Sequence, residues 1–168
     1  VQYLHPGNFA LVMATGIISI GMGLLGNRML ADILFLFALC AWMVLLVLSL
    51  LRLLRFAAQL RDELLNPRLV FSYFTLVAAT NIVGVLLLDR GYSTSAIVCW
   101  VIAFGAWCSL LYLAFSVLTF LSHEHNVNIV HGGWLITIVG TQSLVLLGSR
   151  IAPLLGHYAG YMMVEVHM

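Results

Sequence analysis

Long apolar runs separated by short polar interruptions dominate the 168 residues. A bilayer core is about 30 Å thick and a helix rises about 1.5 Å per residue, so about 20 apolar residues span it. Five segments meet that length, at residues 8–25, 31–54, 69–88, 95–121 and 134–155, with Pro153 breaking the end of the last. The interruptions carry loop chemistry: Gly26-Asn27-Arg28, Asn66-Pro67, Asp89-Arg90-Gly91 and the polar stretch from His123 to Gly133. Short connections make consecutive helices antiparallel, and irregular backbone cannot face lipid. The pattern predicts an all-α, polytopic transmembrane protein, with five spans arranged as hairpins in one domain over residues 1–168. Residues 156–168 fit a disordered end or the entry to a further helix.

Within the spans, small and weakly polar residues fall on stripes. At 100° per residue, Asn8, Val12, Thr15, Gly16, Ser19, Gly23 and Gly26 share an arc of about 100° on the first span. The fifth repeats this with Gly133, Thr137, Gly140, Thr141 and Gly148, interrupted by Leu144. On the third, Thr80, Asn81 and Gly84 share a face with Tyr73 and Val77. One reading is a narrow path between the first, third and fifth spans, lined by Thr15, Gly16, Ser19, Gly23, Thr80, Asn81, Gly84, Thr137, Gly140 and Thr141. An uncharged lining holds an ion weakly enough to release it. The competing reading is helix packing, because small-xxx-small faces are the usual contact between membrane helices. The fourth span has such a stripe too, in Ser95, Cys99, Ala106, Ser109 and Ser116. Gln142 lies off the fifth stripe and is not expected on the path, and the second span, bulky throughout, suits an outer, lipid-facing position.

Composition reinforces the membrane reading. Hydrophobic residues make up 63% of the chain and charged residues 8%, too few for a water-facing surface or for disorder. Lys is absent, and seven scattered Arg with a net charge of +1 offer no nucleic-acid footprint. Arg52, Arg55, Arg61 and Arg68 cluster between the second and third spans, whereas Arg28, Arg90 and Arg150 occupy the other side. The positive-inside rule then puts the cluster and the N-terminus in the cytoplasm of a cell-membrane protein. The stretch 50–65 could prolong the second helix as an amphipathic segment. Mid-membrane ionisable residues are absent from all five spans, which argues against a carboxylate proton relay or a buried catalytic base.

Several motifs resemble one family. The opening His5-Pro6-Gly7-Asn8-Phe9 with Val12-Met13-Ala14-Thr15-Gly16-Ile17, Asn66-Pro67-Arg68, and Gly133-Trp134-Leu135 with Val139-Gly140-Thr141-Gln142-Ser143-Leu144 and Gly148 resemble the tellurite-resistance/C4-dicarboxylate transporter family. That family includes slow-type anion channels, malate permeases and sulfite exporters. The resemblance implies a ring of ten helices built as five hairpins, odd helices lining a pore and even ones outside. It further implies trimers that pass small anions without cofactors. Five spans are half of that ring, so the expectation is an N-terminal half, or a pore completed by several chains. The family's gating phenylalanine lies on the ninth helix, so no residue here inherits that role.

Other chemistries are weaker. His123, Glu124, His125 and His131 could hold zinc or copper, but a convincing fourth ligand is lacking and a solvated cytoplasmic loop explains them better; no metal is expected. A bis-histidine haem would need histidines inside two helices, and none lies there. Cys40, Cys99 and Cys108 read as small buried hydrophobes. Arg28, Arg90 and Arg150 could draw anions to a mouth, with surface pairing to Asp32 and Asp89 as the alternative. The functional expectation is a non-enzymatic carrier or channel for small anions of the malate, sulfite, tellurite, chloride or nitrate class. The alternatives are a non-transporting membrane subunit and a metal- or haem-dependent membrane enzyme.

Overall fold

The computed structural model describes residues 6–64, 66, 69–121 and 134–156. Six helices follow one another: α1 (Phe9–Leu24), α2 (Arg28–Arg55), α3 (Ala57–Leu64), α4 (Phe74–Leu88), α5 (Ser93–Leu121) and α6 (Trp134–Ile151). Single 3-10 turns lead into α1 (Pro6–Asn8) and α4 (Val70–Tyr73) and extend α6 (Ala152–Leu155). Among the described residues, five helices are long and apolar enough to cross a membrane. The second helix does not run on past the bilayer as one rod. It ends at Phe56, and the amphipathic stretch that follows forms the separate, short α3.

Two tight turns build the same end of the bundle. Gly26 and Gly91 both adopt positive φ, +82° and +86°, which an L side chain would resist. Asn27 then caps α2 by accepting from the Leu30 backbone N–H at 3.3 Å. These turns fold α1 onto α2 and α4 onto α5 as antiparallel hairpins.

α4 is the hub. It packs against α1, α5 and α6, and more lightly against α2. The span containing α4 is 78% buried, whereas that containing α2 is 6% buried. The enclosure of α4 includes Thr75, Thr80 and Asn81, which are buried with the apolar residues. Inside the bundle α1, α4 and α6 stand side by side. α2 lies behind α1 and α4, and α5 lies behind α4 and α6.

Small residues let the inner helices approach. A Cβ on Gly16 would lie 2.4 Å from Ile82 Cγ2, one on Gly84 2.4 Å from Leu147 Cδ2, and one on Gly140 3.2 Å from the Phe74 ring. One on Gly148 would lie 3.0 Å from the Trp100 indole nitrogen. Cys99 is buried beside Gly84 on α5; Cys40 and Cys108, expected to be buried, are exposed on the bundle surface because their helices form its outer layer.

Replacing Gly16 by Val should destabilise the bundle by about 1–3 kcal/mol, because the β-branched Ile82 opposite has little freedom to yield. Gly21→Val, whose Cβ would meet open space, is the control and should lack that overpacking cost. Equilibrium unfolding in mixed micelles, followed by circular dichroism, measures both.

A second prediction concerns α4 and α6. Asn81, fully buried, donates from Nδ2 to Ser143 Oγ at 3.0 Å, and Ser143 donates to the Gly140 carbonyl at 2.6 Å. Ser143→Ala strips the amide of its acceptor and should cost about 1–2 kcal/mol. Adding Asn81→Leu should recover part of that loss, since no buried donor is then left unmatched. Additive costs in the double-mutant cycle would show that the two residues do not interact.

Candidate functional site

The stripes are consumed mainly by contacts between helices. Thr15 donates to the Leu11 carbonyl of its own helix at 2.8 Å, and Gly16 seats Ile82. Ser19 is buried and donates to the Ala31 carbonyl at 2.7 Å, with Gly23 also close to Ala31. Thr80 accepts from the Trp42 indole at 3.2 Å and donates to Leu76 O at 2.8 Å. Thr141 accepts from Trp107 at 3.0 Å and donates to Thr137 O at 3.0 Å. The Thr137 hydroxyl has no partner among the described residues. Asn81 reaches Ser143, Gly84 receives Leu147, and Gly140 receives Phe74.

A groove lies beside those stripes rather than on them. Because α1 and α6 share almost no direct contact among the described residues, the space between them stays open, floored by α4. It encloses about 440 Å³, with Met13 and Ile17 on one wall, Ala78 and Ile82 on the floor, and Val139, Gln142, Leu146 and Ser149 on the other wall. Ser143 joins it at the edge of the Asn81 contact. None of the ten residues expected on a path lines this groove. Gln142, which the stripe pattern set aside, does. The available signal was its isolation: a mid-span amide off the packing edge needs surroundings other than lipid.

At the end built by the two glycine turns lies a separate, larger cavity of about 570 Å³. The two linings share no residue, but Ile17 and Ile20 on α1, Ile82 and Leu86 on α4, and Ser149 and Arg150 on α6 bring them within about a turn of each other. Ser19 and Gly23 are on its wall. Arg28, Arg90 and Arg150 converge there with Asp32 and Asp89, five charges that sum to +1.

The three arginines are held differently. Arg90 pairs with Asp32 at 2.6 Å, donates to the Leu86 and Ala31 carbonyls at 3.2 and 3.4 Å, and stacks its guanidinium 3.8 Å from the Phe35 ring centre. This anchored cation joins the start of α2 to the end of α4. Arg150 pairs with Asp89 at 2.8 Å, an exposed contact of small energetic worth. Arg28 is exposed and makes no ion pair with a described residue, so its field reaches the cavity uncompensated. The pairing expected of these arginines is present for Arg90 and Arg150.

At the opposite end, Arg52 is only 4% exposed although the sequence places it in a basic, solvated cluster. It is ion-paired with Glu63 of α3, which also accepts from the Tyr73 hydroxyl at 2.9 Å. Sequence spacing did not reveal this trio, because the break at Phe56 is what turns α3 back onto α2, within reach of Tyr73 in the turn before α4.

Among the described residues no three His, Cys, Asp or Glu side chains come together as a metal site. His123, His125 and His131 lie outside the described residues, as do His5 and the tail from residue 157. The chemistry on offer is electrostatic: a cavity lined by three arginines and two aspartates, next to a weakly polar groove along helices long and apolar enough to cross a membrane.

Comparison with known proteins gives one match. No curated protein and no solved structure matches the chain. The family model described as voltage-dependent anion channel matches residues 3–167. That match covers nearly all of a chain whose helices span the membrane, and the protein belongs to the voltage-dependent anion channel family, which carries anions across membranes.

Proposed function

We propose that small anions pass along the groove between α1 and α6, entering through the arginine-lined cavity, with α4 as the floor. The observation that carries this reading is alignment. Arg28, without an ion pair among the described residues, and the Gln142–Ser149 face line two neighbouring spaces whose linings follow one another along α1, α4 and α6, while the outer faces of α2 and α5 are apolar. Arg28 raises the local anion concentration, and the groove offers an amide, hydroxyls and apolar walls that release an anion as readily as they receive it. In this reading the stripe residues act indirectly. Gly16, Gly84 and Gly140 set how closely α1, α4 and α6 stand, and so set the groove's width.

Gln142 facing acyl chains would be costly, so the open side of the groove is covered by further protein in the membrane. A homo-oligomer, trimeric by the resemblance, in the cell membrane with a cytoplasmic N-terminus fits the arginine asymmetry. Malate-like dicarboxylates, sulfite, tellurite, chloride and nitrate all suit such a lining.

A non-transporting subunit is the second reading, favoured by one observation: nearly every stripe residue is engaged in packing. Flux measurements separate the two. The protein is reconstituted into vesicles and uptake is followed for a panel of those anions. Ile17→Trp, which fills the groove wall, should abolish uptake while circular dichroism stays unchanged. Arg28→Gln should lower uptake about threefold in dilute salt and by much less above about 0.5 M, where screening shortens the arginine's reach. Absence of uptake for every anion by the unmodified protein would favour the subunit.

A further inference from the structure

The rear of the bundle holds a second cavity that the anion path does not use. α2 and α5 both lie behind α4 yet share almost no contact with each other among the described residues. The gap between them encloses about 360 Å³ and is walled by Phe9, Leu46, Leu50, Leu53, Leu76 and Leu110. It belongs to the outer layer: the spans flanking it are only 6% and 17% buried, so the medium they meet in a membrane is lipid. An empty cleft of this kind forfeits dispersion contacts along its whole lining, and a flexible hydrocarbon chain recovers them.

Its polar end is equally specific. Arg52, Tyr73 and Leu64 close the cleft where α2 gives way to α3, and the Arg52–Glu63 pair holds α3 in place above it. The end of α2 and α3, residues 52–64, carries Arg52, Arg55 and Arg61 against Asp62 and Glu63, three positive charges less two negative, or +1. Arg55 and Arg61 are exposed there. A basic segment at the membrane surface attracts acidic headgroups.

We propose that the cleft between α2 and α5 binds an anionic phospholipid, with one acyl chain against the back of α4 and the headgroup beside the basic end of α2 and α3. The occupant is a bilayer component, since apolar walls and surplus positive charge at one end match a lipid in both its parts.

The test uses the whole chain, purified from nanodiscs holding an equal mixture of phosphatidylglycerol and phosphatidylcholine, with retained lipids counted by native mass spectrometry. Phosphatidylglycerol should be retained about fivefold over phosphatidylcholine. Leu50→Trp, which fills the cleft, should lower that retention about fivefold, whereas Leu36→Trp, exposed toward the other end of α2, should leave it unchanged. Arg55→Gln with Arg61→Gln should make the two lipids equal. If Leu50→Trp loses its helical signal, Leu110→Phe serves in its place. Equal retention of both lipids by the unmodified protein, or undiminished retention by the filled variant, overturns the proposal. So does a filled variant that changes only from dimer to monomer, for a second copy of the chain would then be the occupant.

Discussion

Close approach between α4 and its neighbours is the constraint on which the rest of this bundle depends. Apolar side chains gain little by exchanging lipid for another helix, so association has to come from fitted surfaces and hydrogen bonds. Here the fit is made by absence. Three glycines leave room for Ile82, Leu147 and Phe74 respectively, and α1, α4 and α6 close to a spacing that bulkier residues would forbid. With α4 enclosed, α1 and α6 are held apart on either side of it, and the groove between them follows from that spacing.

The outer layer is fastened by a different interaction. Trp42 on α2 donates its indole N–H to Thr80 on α4; Trp107 and Trp100 on α5 donate to the Thr141 hydroxyl and the Leu144 carbonyl of α6. In hydrocarbon an indole N–H has no water to fall back on, so a partner on the next helix fixes both rotation and depth. The outer helices thereby acquire a defined register. Their remaining surface stays apolar, as a lipid-facing layer requires.

Charge is confined to the two ends, and each end has its own character. At one, Arg90 is committed to structure by Asp32, two carbonyls and Phe35, which leaves Arg28 to act on the solvent of the cavity. At the other, Arg52 is buried and committed to Glu63. In the proposed path, an entrance in which most cations are already paired would attract anions without trapping them.

Much was legible from residue order alone. Apolar runs set by bilayer thickness marked the spans, and glycine with Asn or Asp marked the turns, because both depend on local chemistry. The family motifs in the first and fifth spans were legible for the same reason. What spacing could not decide was which way each stripe faces. Thr15, Gly16, Gly140 and Thr141 read equally as a lining or as a packing edge, and only the neighbouring helices settled that Gly16 meets Ile82 while Gln142 opens on the groove. The burial of Arg52 was likewise a tertiary outcome, as was the division of Arg28, Arg90 and Arg150, already legible on one side, between paired and exposed roles. A periodic pattern specifies a face relative to its own helix axis; rotation about that axis is fixed by contacts between residues far apart in the chain, and those exist only once the helices have packed.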